Sequence, residues 1–444
     1  MSAPTATPPP GADGAPVTAS VWGQRLARWR GLPAWARWAL SAALGILLLT
    51  LVQEFGTDDT SALTSQSTSA AMLRWAIPIL LAGLGGLFAE RAGVVNIGLE
   101  GMMILGTWFG AWGAINWGPW GGIIAGLVGG ALGGLVHAVA TVSFGVDHII
   151  SGVAINIVAP GLTRYLSDEI FRGYEGGSIT QSPRAESLGR FTMPFTSGGP
   201  IGGWDSPDVL RWFIDQEWFF ISDVASVLRG LTTQVSYFTI IALALVPISA
   251  WLLWRTRLGL RIRISGERPE AGESLGVDIY KHKYIGVIVS GALAGMAGAF
   301  IVMELTGFYR EGQTNGRGFI GLAALIFGNW RPGGILLGAL VFGYPFGLSL
   351  RDLDGSGTHA LLLVVAISLG LVLIWALQRR NRVDAILAGT FGGLTLLWYL
   401  LSDTAPAWLP NTMPFVLVLL VLIFASQRLR MPAADGQIYR RGET

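Results

Sequence analysis

Cysteine is absent from all 444 residues, which excludes a disulfide framework and any Cys-based metal or redox site. Lysine is nearly absent too. Two of the thirty basic residues are lysines, Lys281 and Lys283, and neither follows a glycine. The phosphate-cradling loop G-x-x-x-x-G-K-[ST] is therefore missing, and if the protein draws on ATP, another chain hydrolyses it. The four histidines, 137, 148, 282 and 359, form no H-E-x-x-H or comparable cluster, so no metal site is expected. Charge is scarce as well: 13% of residues are charged, against about a quarter in a soluble domain.

What is abundant is apolar. Hydrophobic residues make up 52% of the chain, with 18 Trp and 62 Gly, and runs long enough to cross a bilayer, roughly 20 residues each, recur throughout. The fold class is an all-α polytopic membrane protein. Twelve hydrophobic segments are expected near 39–53, 72–89, 97–115, 121–144, 149–166, 237–254, 285–304, 318–328, 333–350, 360–378, 384–401 and 414–428. Residues 318–328 are too short to cross straight, and 149–166 carries Asn156 and Pro160. Either can be re-entrant or broken, since irregular backbone is tolerated at membrane depth where protein or a water-filled cavity covers it. The total is then about 10–12 transmembrane or re-entrant helices.

Residues 1–20 are small, polar and Pro-rich, unlike a cleavable signal, and are expected to be disordered. Residues 21–38 interleave Arg25, Arg28, Arg30 and Arg37 with tryptophans, which suits an interfacial segment or a basic flank that sets orientation. With this end inside, 20 of the 30 basic residues fall in inner segments. By the positive-inside rule both termini, including the 429–444 tail, are then cytoplasmic. Residues 39–166 form a first helical half and 237–428 a second, which carries a charged cytoplasmic loop over 255–284. Residues 167–236 form a long outer loop, either a docking surface for an extracytoplasmic partner or a lineage insertion.

Gly122, Gly126, Gly130 and Gly134 recur at four-residue spacing, and Gly291 and Gly295 repeat the device. Such stripes let helix backbones approach closely in lipid. Within 255–284 a short helix fits: Ser265 or Glu267 can cap it, Pro269 suits its first turn, Glu270 and Glu273 complement its dipole, and Gly276 sits at its C-terminal end.

ERAGVVNIGLEGMM (90–103), GERPEAGESLGVDIYKHKYIGVIVSGALAGMAGAF (266–300) and GRGFIGLAALIFGNWRPGGILLGALVFG (316–343) together resemble the nucleoside-type permeases of bacterial ABC importers. These belong to the large family that also holds ribose-type sugar and branched-chain amino-acid permeases. The resemblance implies a type II-like importer fold in a bacterial inner membrane. It also implies two permease subunits, the second related but non-identical, two cytosolic ATPases that carry the ATP and magnesium, and an extracytoplasmic substrate-binding lipoprotein. No nucleic acid and no cofactor of this chain's own are implied. The family's coupling helix maps onto Glu267, Pro269, Glu270, Ala271, Gly272 and Gly276. Gly272 stands where the family usually has alanine, at about 1 kcal/mol in helix propensity.

The polar break at 90–101 then has a reading. Glu90 and Arg91 pair or snorkel at the cytoplasmic end of a span, and Gly93, Gly98 and Gly101 permit an unwound stretch. Asn96 and Glu100 enter the membrane facing the bundle, because lipid-facing amides and carboxylates are costly. They border a pathway or gate, or they hold the turn through hydrogen bonds to neighbouring helices. Asn156, Phe308 and Phe319 are further pathway candidates, with Tyr309 also placed to stack on a base. His137 is expected to be a satisfied interhelical donor, and Glu304 to be interfacial. The function expected is inward movement of nucleosides or related nucleobase or ribose compounds by alternating access. A simple-sugar permease, and from another class an ion-coupled secondary transporter, are the alternatives.

Overall fold

The structure, a computed structural model, describes residues 33–55, 62–350 and 355–440, apart from 407, 411, 414, 418 and 420–428. Residues 1–32 and most of the last expected segment, 414–428, lie outside the described residues. The chain divides into two units between Leu48 and Leu49. The first holds the beginning of α1 (Ala34–Phe55), which starts five residues earlier than the expected span; all else belongs to the second.

In the second unit the long helices are α2 (Gln66–Arg91), α3 (Leu99–Ala138), α4 (His148–Glu169), α7 (Tyr237–Arg255), α10 (Ile279–Phe300), α12 (Pro332–Ser349), α13 (Ser356–Gln378) and α14 (Arg382–Leu401). Single-turn π segments, Val139–Ser143 and Ile301–Thr306, extend α3 and α10. Among the described residues eight helical stretches are long and apolar enough to cross a membrane. Shorter helices are α5 (Val209–Asp215), α6 (Ile221–Thr232), α8 (Arg257–Glu267), α9 (Pro269–Ser274) and α11 (Arg317–Phe327).

Helix starts follow local chemistry. Ser65, Asp147, Ser236, Thr256, Asp278 and Asn381 each accept a hydrogen bond from a first-turn N–H, satisfying donors that the helix itself leaves free. α3 contains two of the expected segments. Gly118 takes φ +73°, ψ −176°, with Pro119 after it. The chain reverses there, and the two arms lie against each other, so that a Cβ on Gly113 would meet the Gly121 carbonyl oxygen at 2.5 Å.

Glycine determines how closely the central helices approach. A Cβ on Gly130 would sit 2.2 Å from the Gly291 oxygen, and one on Gly295 would sit 2.2 Å from the Gly126 oxygen. Gly106 on the other arm meets Gly295 in the same way, at 2.1 Å. Gly122 faces Ala114 and Met303, and Gly134 faces the Val287 carbonyl. Both arms of α3 thus lie backbone to backbone with α10, while α2 is enclosed by α10, α11 and α12.

The 167–236 segment folds into short elements that no periodicity announces. β1 (Gln181–Arg184) pairs with β6 (Phe308–Arg310), β2 (Arg190–Phe191) with β5 (Val235–Ser236), and β3 (Pro200–Ile201) with β4 (Trp204–Asp205), all antiparallel. Asp208 accepts from Arg229 at 2.7 and 2.9 Å. Its desolvation raises the carboxyl pKa, but the Arg229 bonds outweigh this and hold it below the usual carboxylate range. Arg229 also donates to Gln66, tying the segment to the start of α2. We call this the loop end of the bundle; the opposite end, carrying Arg91, α8, α9 and residues 429–440, is the tail end.

Candidate functional site

α2 stops at Arg91, Gly93 takes φ +81°, and residues 92–98 form no helix before α3 begins at Leu99. Side chains from α3, α4 and α10 take up polar groups this frees. Lys283 Nζ donates to the Gly93 carbonyl at 3.1 Å. The Val95 N–H reaches His148 Nδ1 at 3.3 Å, and the Val95 carbonyl meets His137 Nε2 at 3.1 Å. Asn156 donates to the Ile97 carbonyl at 3.0 Å and accepts from the Gly101 N–H at 2.7 Å. Asn96, fully buried, donates to Ser290 Oγ at 2.9 Å. Unwound backbone at membrane depth persists only where protein satisfies it in this way.

Glu100 lies deeper. Its Oε1 accepts from the Gly316 N–H at 2.9 Å and its Oε2 from the Gly318 N–H at 2.7 Å, the first amides of α11. These are donors without intrahelical partners, at the positive end of the helix dipole. Gly321 touches Ala82 and Gly83 of α2, which places this carboxylate about 13 Å along α2 from Arg91, at 1.5 Å per residue. That is nearly half of an apolar layer about 30 Å thick. α11, 11 residues long, is a half-helix that runs from there to the tail end. Two helix N-termini therefore meet at half depth with one carboxylate between them. Arg317 is buried beside it, its guanidinium 4.4 Å from the Trp75 ring centre and donating to the Gln313 and Thr314 carbonyls.

The structure thus brings Asn96, Glu100 and Asn156 together around one break, with Phe319 one residue past Gly318 and 42% exposed. Phe308 is not in this cluster; it lies in β6, paired with Arg184. Tyr309 is buried against Phe171, so it is not free to stack on a base. Glu304 is buried rather than interfacial, its side chain 1% exposed, because Arg190 from the 167–236 segment covers it. Glu90 and Arg91 do not pair with each other. Glu90 accepts from Trp330 Nε1 at 2.5 Å, while Arg91 donates to the Trp330 carbonyl at 2.9 Å and pairs with Glu267 at 3.3 Å. His148, Lys283, Ser290 and the 316–318 amides were missed in the sequence, where nothing marks them as partners of the break.

At the tail end, residues 257–267 form a helix of their own, α8, within the charged stretch expected to be loop. Neither Ser265 nor Glu267 caps α9: its N-cap is Arg268, without a side-chain cap bond. Ser265 instead bonds back to the Arg261 carbonyl, and Glu267 pairs with Arg91. Pro269 opens α9, and Gly276 follows it at φ +78°. Pro269 and Gly272 face inward, where a Cβ on Gly272 would touch Ile279 at 3.0 Å and Ile264 at 3.3 Å. The glycine is thus suited to close packing. Glu270, Ala271 and Leu275 face outward, with Leu275 76% exposed.

The 429–440 tail crosses this end. The Ala434 N–H donates to the Gly266 carbonyl at 2.8 Å, Tyr439 bonds Glu273, and Gly436 lies against Val95 of the break. Asp435 is buried near Glu90 and Lys283; burial, then the neighbouring Glu90, pushes its carboxyl well above the ordinary range. Among the described residues no group of three or more His, Cys, Asp or Glu side chains could hold a metal ion.

Residues 69–351 match the family described as "Branched-chain amino acid transport system / permease component". The chain is 37% identical to the guanosine ABC transporter permease protein NupQ of Bacillus subtilis, over 63% of its own length and 81% of that protein's. It is 35% identical to the nucleoside ABC transporter permease protein NupC of Lactococcus lactis, with the same shares covered. Identity is 33% to the putative glucose ABC transporter permease protein TsgC13 of Haloferax volcanii, covering 64% and 76%. No solved structure matches the chain significantly. The eight apolar helices, the half-helix meeting Glu100 at mid-depth and the family match over residues 69–351 agree, and the chain belongs to the permease components of the branched-chain amino acid transport system family.

Proposed function

We propose that this chain is the membrane permease subunit of an ATP-driven importer of nucleosides, working by alternating access and performing no chemistry on its cargo. The observation that carries the coupling half of this reading is α9. It is a short helix braced by Pro269 and Gly272 that presents Glu270, Ala271 and Leu275 outward, on a chain without a nucleotide-binding loop. It serves as the docking element for a separate ATPase. The tail end is cytoplasmic on this reading, in keeping with its arginines. A second, related permease and an extracytoplasmic binding protein complete the machine. The break at 92–100 borders the pathway and acts as its gate, because it joins α8 and the tail at one end to the mid-depth Glu100 cluster. Substrate class rests on the nucleoside and guanosine permeases among the relatives.

The test is uptake by the complex reconstituted in vesicles. Labelled guanosine should accumulate only with ATP on the tail side, and excess glucose should not compete; uptake of glucose in preference to guanosine would overturn the substrate assignment. Glu270→Lys should leave insertion intact yet lower binding-protein stimulation of ATPase activity by about tenfold or more. Like charges at an interface cost several kcal/mol, and ~1.4 kcal/mol is a factor of ten. Unchanged stimulation would remove α9 from the coupling role.

A further inference from the structure

At the loop end a cavity of about 490 Å³ opens between the start of α2, the start of α7, the end of the π turn after α10 and the 167–236 segment. A volume of this order holds a small ligand. Beside apolar groups such as Leu73 and Val235, its walls carry polar side chains: Ser67 and Arg74 from α2, Arg190 and Thr233 from the segment, Thr239 from α7, and Glu304 from the π turn. Glu304 is buried, yet neither carboxylate oxygen accepts a hydrogen bond. Arg190 Nη2 stands 3.7 Å away. Ser236 and the Leu188 backbone approach the carboxylate without reaching hydrogen-bonding geometry. Thr233, which also lines the cavity, has its Oγ1 buried and unpartnered. Buried polar groups are normally satisfied, so two such groups around one cavity mark where a ligand's polar atoms belong.

The chemistry of the walls selects the ligand. A carboxylate that accepts no hydrogen bond and has a guanidinium beside it can take two adjacent O–H donors, one on each oxygen; carboxylates hold ribose hydroxyls in dinucleotide sites. Arginine and threonine can serve the lone pairs of those hydroxyls and of a ring oxygen. Among the described residues no aromatic side chain lines the cavity, so they offer no stacking platform of the kind that holds a base. Building on the nucleoside reading above, we propose that this cavity is a subsite for the ribose of the nucleoside, with Glu304 accepting from the 2′ and 3′ hydroxyls. The 167–236 segment, which supplies Arg190 and Thr233, is then part of substrate recognition, and the base projects away from the cavity.

The absence of cysteine makes a direct test possible. Ala70→Cys places this chain's one thiol in the cavity wall of an otherwise complete complex, and maleimide labelling of this chain, separated from its partners on a gel, reports its accessibility. Guanosine and free ribose should each slow labelling, 2′,3′-dideoxyguanosine should not, and adding Glu304→Gln should raise the guanosine needed for protection at least ~tenfold. Thr233→Val should weaken protection in the same direction by a smaller factor. Equal labelling with and without guanosine, or protection by the dideoxy compound equal to that by guanosine, would overturn the subsite. Guanosine uptake by the unsubstituted complex is read separately. Its absence would sink the nucleoside reading, whereas protection of the introduced thiol by ribose speaks to the cavity alone.

Discussion

Replacing Gly295 with leucine should leave almost no folded protein in the membrane. A Cβ at this position would lie 2.2 Å from the Gly126 carbonyl oxygen and 2.7 Å from the Gly130 backbone, and the Gly106 side of α3 presses on the same residue. These are backbone atoms, so no side chain can rotate away. Ordinary overpacking costs about 1–3 kcal/mol; here three helix backbones must separate, which forfeits the close contact that drives helix association in lipid. Fluorescence-detected gel filtration of a tagged protein measures the outcome: the monodisperse peak should vanish for Gly295→Leu. It should survive for Gly393→Leu on α14, where a Cβ meets nothing within 4 Å. An intact peak for Gly295→Leu would mean that α3 and α10 are not apposed as described.

Glu100→Ala should give a protein that folds and assembles but hardly transports. The substitution strips the acceptor from the Gly316 and Gly318 amides and removes the carboxylate nearest to buried Arg317. Each unsatisfied buried donor costs about 1–3 kcal/mol. That loss falls where the N-termini of α3 and α11 meet and leaves the glycine contacts of α10 untouched. Uptake should drop by at least ~tenfold, with Glu100→Gln intermediate because one acceptor oxygen remains. Retention of the ATPase on the purified variant separates a gating loss from an assembly loss. Wild-type uptake by Glu100→Ala would show that the junction has no part in the pathway.

Much of this architecture was legible in the chain. The long apolar runs set α7, α12, α13 and α14 to within four residues, and α2 and α10 to within six, because lipid demands continuous hydrophobicity. The four-residue glycine spacing pointed to faces of close approach, and Pro269 and Gly276 to the ends of a short helix. The partners of the polar break were not legible. Glu100 bonds amides 216 and 218 residues away, and neither hydropathy nor helical period carries information over that distance. The strands of the 167–236 segment are two to four residues long, too short to show alternation. α8 was missed for a different reason. Its arginines made it look like a solvated loop, although Thr256 is a good N-cap and Ile262 and Ser265 form a buried stripe. Glu304 was misplaced because position in a span says nothing about what a distant loop lays over it.

The measurement closest to the central claim is affinity purification of the tagged chain in mild detergent, with identification of the proteins that accompany it. The account predicts an ATPase with a nucleotide-binding loop and a second permease, and an ATPase bound less firmly to Glu270→Lys. A chain recovered without an ATPase under several gentle conditions, yet able by itself to drive nucleoside uptake into liposomes under a proton or sodium gradient, would contradict it.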